Sequence, residues 1–239
     1  MKMKKHILTA IILSLAFAGQ ASAQHPMILQ RLTEWNAAAP APSSQVILAE
    51  IEFAAARINN DSGKCAQSPL TVEQVSPATA DRYVFQGIIN KQIKNGWTAK
   101  VNQPKCSAEE QRYMIIQTVN DELRTFRVNR GVSYAHESLI GDTLPIAMIA
   151  AKVAFDRLKM KCEVQSQAKL GVIRLGLKES DLGSDVFGVR YSGSWNEVWP
   201  VTMCSETVEV PIRFTADGDG GATYNIKGES VKLITPSTK

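Results

Sequence analysis

Two tryptophans and the cysteines behind them constrain this chain most. Trp97 stands nine residues before the pair Cys106-Ser107, and Trp195 stands nine residues before Cys204-Ser205, an offset of 98 residues. Trp and Cys each occur only four times in 239 residues. At the same offset Met114 and Ile116 fall on Ile212 and Phe214, and Thr125, Phe126 and Val128 fall on Thr223, Tyr224 and Ile226. These matches keep apolar character at alternate positions, which is the period of a strand. The other cysteines, Cys65 and Cys162, lie 97 residues apart. Self-similarity at a fixed period signals one supersecondary unit written twice.

The pattern around the repeat predicts what the unit contains. "SSQVILAEIEFAAARINN" has Ser43 or Ser44 as N-cap and an apolar stripe of Val46, Ile47, Ile51, Ala54 and Ile58 near helical spacing. In the second half Asp142 or Thr143 is placed to cap "LPIAMIAAKVAFDRLK", with Pro145 in the first turn, where backbone N–H groups lack partners anyway. Strand patterns follow each helix. "RYVFQGIINKQI" is expected to turn at Asn95-Gly96 into "WTAKV", and "RYMIIQT" at Asn120-Asp121 into "ELRTFRV". In the second half "KLGVIRLGL" and "VFGVRYSG" precede "SWNEVWPV". "VEVPIRF" is the cleanest alternation, with Val208, Val210, Ile212 and Phe214 on one face. Pro211 cannot donate to a ladder, which predicts an edge strand or a bulge there.

The expected fold class is therefore α+β: a tandem duplication of a helix followed by an antiparallel meander of about four strands. In element order it resembles the cystatin-like and NTF2-like folds, and no functional residue carries over from that likeness. The expected organisation is a signal peptide at 1–23, an N-terminal tail and linker at 24–42 and a first lobe at 43–130. An inter-lobe loop at 131–142, a second lobe at 143–230 and a C-terminal tail at 231–239 complete it. Within the tail, Met27 to Trp35 is a short amphipathic stretch suited to docking on a lobe or on a partner.

The N-terminus reads as an export signal. "MKMKK" is positively charged, "ILTAIILSLAFA" is an apolar core too short to span a bilayer comfortably, and Ala21-Ser22-Ala23 sets cleavage before Gln24. The mature chain is then periplasmic or secreted, with no transmembrane anchor expected. Cleavage takes 27 basic residues to 24 against 23 acids, so the net charge falls from +4 to about +1. That balance argues against a nucleic-acid partner, which needs clustered positive charge. In an oxidising compartment four cysteines favour disulfides. The favoured pairing is Cys65–Cys106 and Cys162–Cys204, with cross-half pairing the alternative. Closing a loop of roughly 40 residues stabilises by about 3–4 kcal/mol.

Candidate chemistry is sparse. "YAHESLIGDTLP" carries His136, Glu137, Ser138 and Asp142 between the halves. A hydrolase would use Ser138 or Ser133 with His136 as base and an acid, but neighbours in sequence seldom reach one another in that geometry. The plainer expectation is that His136 and Asp142 cap backbone groups, or that the loop binds a ligand between the lobes. Asp217 and Asp219 in "DGDGG" resemble the start of a calcium loop, but the later ligand positions fall on glycine, so a hairpin turn is expected. No metal or other cofactor is expected. Trp97 and Trp195 are expected in the core; Trp199, whose counterpart is Val101, is the tryptophan to look for at a ligand surface. The functional expectation is an exported, disulfide-stabilised, non-enzymatic cell-envelope protein binding another protein or a small apolar ligand. The alternatives are a hydrolase using His136 and an inhibitor of a secreted hydrolase.

Overall fold

A computed structural model describes residues 26–58, 69–103, 107–159, 168–203 and 206–234. The expected signal segment and all four cysteines lie outside the described residues. Among the described residues there are four α-helices, a short 3-10 turn at Gly228–Ser230 and twelve strands. The helices are α1 (Pro26–Ala38), α2 (Ser44–Ile58), α3 (Arg82–Ile89) and α4 (Glu137–Arg157). The first half supplies β1 (Thr71–Pro77), β2 (Ile93–Gln103), β3 (Ser107–Thr118) and β4 (Leu123–Gly131). The second supplies β5 (Lys169–Leu170), β6 (Val172–Lys178), β7 (Asp185–Val186), β8 (Val189–Arg190), β9 (Ser194–Met203), β10 (Glu206–Ala216), β11 (Ala222–Asn225) and β12 (Lys232–Ile234). The α+β class is as expected. The tally of one helix and about four strands per half is not, because further short strands and two further helices are present.

Ten of these strands form one mostly antiparallel sheet in the order β1-β2-β3-β4-β6-β9-β10-β11, with β5 on β9 and β12 on β10, and β7 and β8 form a separate two-stranded hairpin. The halves join edge to edge through a short parallel pairing of β4 with β6, at Arg130 with Val172 and Gly131 with Ile173. Gly131 makes this junction possible: its φ is 82°, and a Cβ there would strike the Ile173 carbonyl.

Each half keeps its own core. In the first, Ile47, Ile51, Ala54 and Ala55 of α2 pack on Trp97, Ala99, Val101, Tyr113 and Ile115. The opposite face of β3 carries Met114 and Ile116, which pack with Ile93, Val84 and Ala78 beneath α3. A strand covered on both faces must be apolar at consecutive positions, which is why "YMII" does not alternate. In the second half α4 lies on Trp195, Trp199, Val201, Val208, Val210, Ile212 and Phe214. The Trp195 and Phe214 rings stack with centroids 5.2 Å apart. By length and composition α4 could cross a membrane, but one of its faces (Leu139, Ile140, Ala147, Ala151, Ala154 and Phe155) is buried in this core.

Three local expectations are corrected. Arg82–Ile89 is a helix rather than a strand, because Asp81 caps it by accepting Tyr83 N–H at 2.9 Å. Asn95-Gly96 is then no hairpin turn but part of β2, at a register shift. Glycine is needed at 96 because a Cβ would come within 2.7 Å of the Val84 side chain of α3. Second, α4 starts at Glu137 with His136 as N-cap, so Asp142, Thr143 and Pro145 lie inside it. The segment read as the end of an inter-lobe loop is thus its first turns. Third, β10 pairs along its length with β9 and is not an edge strand. Pro211 falls in the gap on the other side, between β12 (paired with Thr207–Glu209) and β11 (paired with Arg213–Ala216). The missing N–H therefore interrupts no ladder.

Candidate functional site

The connection between the halves, Ser133–Ala135, is gripped from both sides. Arg112 of β3 donates to the carbonyls of Ala135 at 2.7 Å and Ser133 at 3.4 Å, and to Asn129 Oδ1 at 3.0 Å. Glu197 of β9 takes the amides: Tyr134 N–H at 2.8 Å and Ala135 N–H at 3.1 Å. Glu197 also accepts the Ser133 hydroxyl at 2.9 Å, Trp195 Nε1–H at 3.0 Å and Trp199 Nε1–H at 2.8 Å. Residues 195, 197 and 199 share the inward face of β9 because the strand period is two. Every partner of Glu197 is a donor, which suits a carboxylate in a fully buried position. Trp199, expected at a ligand surface, is therefore core: it is 0% exposed and its ring packs against Phe214.

This clamp delivers the next residue, His136, to Asp81. His136 Nδ1 lies 3.0 Å from Asp81 Oδ2. The same carboxylate accepts Ser138 N–H at 2.9 Å, the Ser138 hydroxyl at 2.8 Å and Tyr83 N–H at 2.9 Å. Asp81 so caps α3 and α4 together, where two helix N-termini favour negative charge. Burial acts to raise its pKa, but the bonds from His136 and Ser138 and the His136 charge outweigh it and hold the carboxyl below the usual range. An ionised Asp81 is acceptor-only, so the Nδ1 it faces carries a proton; in a neutral ring Nε2 is then the acceptor. The Leu139 N–H, at 3.4 Å from Nδ1, is the weaker neighbour. His136 Nε2 is buried and meets no partner among the described residues.

Glu137 sits behind this pair, 3.5 Å from Arg112. Burial raises its pKa, with Arg112 opposing and Asp81 adding to the rise. Asp142 lies one turn further along α4 and is held at 2.9 Å by Arg82 on the surface.

The His136 ring lines a cavity of about 470 Å³. Its walls come from both halves. α1 contributes Ile28 and Leu32; the first turns of α3 contribute Arg82 and Phe85. The start of α4 contributes His136, Ser138, Leu139 and Asp142, and the second half adds Tyr191, Tyr224 and the β10–β11 turn at Asp217–Gly221. The amphipathic N-terminal stretch is thus α1, docked on the first half: Leu32 is 1% exposed and Trp35 meets Phe85 at 5.5 Å. The β7–β8 hairpin of the second half reaches the same place, where Phe187 O accepts Ala80 N–H at 3.0 Å. A larger, open groove of about 1020 Å³ runs on the other side of α3, floored by Met114 and Ile116.

The residues singled out by sequence separate clearly. His136 and Ser138 converge on Asp81, with Glu137 and Asp142 close by. Among the described residues no nucleophile meets Nε2: Ser138 Oγ bonds Asp81 and Ser133 Oγ bonds Glu197. Asp217 and Asp219 stand at the cavity as a tight turn, Asp217 Oδ1 accepting Asp219 N–H at 2.9 Å and Gly221 N–H at 3.0 Å. Among the described residues no group of three or more metal-ligating side chains occurs. Sequence reasoning missed Asp81, Arg112 and Glu197. Glu197 had a visible signal, a charge flanked by tryptophans on the inward face of a strand; Asp81 and Arg112 had none within a local window. Comparison with protein-family models, curated proteins and solved structures gave no match.

Proposed function

We propose that this chain is an exported, non-enzymatic cell-envelope protein that binds a small ligand in the cavity beside His136. One observation carries the reading: a cavity of about 470 Å³ walled by both halves, with His136 and the starts of α3 and α4 among its lining. Ligand sites favour such junctions, with mostly apolar walls and a few convergent polar groups. Recovery of the protein from its native envelope under mild conditions, followed by native mass spectrometry, tests this. A small-molecule adduct, and a mature chain starting at Gln24, are expected. A chain that retains residues 1–23 in the cytoplasm and carries no adduct contradicts the reading.

We further propose that the halves are copies of one unit. Support comes from the matched strand order, β1-β2-β3-β4 against β6-β9-β10-β11, and from the burial of Trp97 and Trp195 on the second strand of each set. The disulfides Cys65–Cys106 and Cys162–Cys204 belong to this proposal. Each would join the segment after a half's long helix to the segment after its Trp-bearing strand.

A second reading, a hydrolase, is favoured by the Asp81–His136 pair at 3.0 Å with a free Nε2, the carboxylate–imidazole half of a general base. With no side-chain nucleophile at Nε2, water would have to attack. Ester hydrolysis by the wild type that His136→Gln abolishes and Ser138→Ala leaves intact would favour this reading over simple binding.

A further inference from the structure

We propose that the outer face of α4 is an interface between two copies of this chain, packed as an antiparallel helix pair about a two-fold axis near Ile149. The stretch between Asp142 and Lys152, "TLPIAMIAA", carries no charge. One side of α4 lies in the second core through Ala147, Ala151 and Ala154. The opposite side is also apolar: Ile146 is 42% exposed, Ile149 58% and Val153 57%. A surface helix turns charged and polar side chains to water, whereas a helix apolar all round is one that is covered all round. The helix is held rigidly beneath this face. Asp81 accepts Ser138 N–H in its first turn, and at its other end Arg157 donates to the carbonyls of Gly228 at 3.2 Å and Val231 at 3.0 Å.

The spacing and the charges of the face select its occupant. Asp142, Ile146, Ile149, Val153 and Asp156 are all exposed and follow one another at intervals of four, three, four and three residues. That is the seam of a two-stranded coiled coil, apolar at its three central positions and ended on both sides by an aspartate. A two-fold near Ile149 sets Ile146 against Val153 of the second copy, and the Asp142 end against the Asp156 end. Each aspartate brings its own cation: Arg82 lies 2.9 Å from Asp142, and Lys152 lies 3.2 Å from Asp156. Pair set against pair gives alternating signs, with Arg82 beside one copy's Asp156 and Lys152 beside the other's Asp142. Antiparallel helices also oppose their dipoles. A lipid surface would call for an excess of cations around the stripe. The seam instead ends in one cation for each carboxylate, which is complementary to itself.

Size-exclusion chromatography with light scattering, on the chain from Gln24 onward over a dilution series from millimolar to micromolar, tests this. A dimer is expected at the high end. Ile149→Glu changes an exposed side chain and should leave the circular dichroism spectrum as it is. It is expected to weaken association about a hundredfold, because the substitution counts twice across a two-fold and sets like charges together. Ile149→Ala shortens the same contact without adding charge and should weaken it less. Under oxidation, Ile146→Cys mixed with Val153→Cys is expected to form a disulfide between copies, and Ile146→Cys alone to form far less. Equal linking by Ile146→Cys alone overturns the antiparallel arrangement. A dimer that Ile149→Glu leaves intact places the interface elsewhere and overturns the proposal. A monomer at millimolar concentration also overturns it; if that monomer binds phosphatidylglycerol vesicles and Ile149→Glu does not, the face belongs to a lipid surface.

Discussion

Replacement of Glu197 by Gln probes the clamp on which the site depends. Glu197 offers one oxygen to Tyr134 N–H, Ala135 N–H and Trp195 Nε1–H, and the other to Trp199 Nε1–H at 2.8 Å. A Gln carbonyl can serve the first set, but its NH₂ then faces the Trp199 N–H, donor against donor. The change removes one charge-assisted bond, worth about 1.5–3 kcal/mol, and leaves a buried donor without an acceptor, at a further cost of about 1–3 kcal/mol. Partial relaxation brings the net loss to about 3 kcal/mol. For a protein of this size that lowers Tm by about 6–12 °C. Thermal melts followed by tryptophan fluorescence and by circular dichroism measure it, and Trp199→Phe in the Gln background should recover part of the loss by removing the orphaned donor. A Gln variant that melts within 2 °C of wild type would show that the carboxylate does not hold Ser133–Ala135 in place.

Further changes act on separate parts of the structure. Asp81→Asn keeps a cap for α3 but loses the charged partner of His136, so stability at neutral pH should fall by about 1–3 kcal/mol in urea unfolding. Because the folded-state pKa of Asp81 lies below its ordinary 3.8, its stabilisation is complete above that value and lost as pH falls through the folded pKa. The gap between wild type and Asp81→Asn should therefore close in acid; a gap that widens there contradicts the assignment. Gly96→Ala puts a Cβ 2.7 Å from Val84 and should destabilise by about 1–3 kcal/mol, whereas a neutral effect would mean that α3 is free to shift. Non-reducing peptide mapping should recover Cys65–Cys106 and Cys162–Cys204 peptides, and a Cys65–Cys162 or Cys106–Cys204 peptide would overturn pairing within each half.

Period and spacing made much of the sheet legible. The alternation of Val208, Val210, Ile212 and Phe214 is buried as written, and the β3–β4 hairpin turns near Asn120-Asp121. The apolar side of α2 is centred on Ile47, Ile51 and Ala54, while Val46 is exposed. What failed was local reading where a distant partner decides. Asn-Gly signals a hairpin only if both flanks are strands, and Asp81 makes the upstream flank a helix. The start of α4 follows from His136 and Asp81, 55 residues apart in sequence. Pro145 is tolerated mid-helix because Gly141, whose carbonyl it leaves without an N–H donor, is exposed. The site was half visible: His136 stood out, but its meaning depends on Asp81 and on the β10–β11 turn, which only the tertiary fold brings to it.

The most direct measurement is the side-chain ¹⁵N spectrum of the chain from Gln24 onward, which contains only His25 and His136. Where the imidazoles are neutral, His136 is expected to carry its proton on Nδ1, which faces the Asp81 carboxylate at 3.0 Å. A neutral His136 ring with its proton on Nε2 would contradict the pairing with Asp81 on which the starts of α3 and α4 are built.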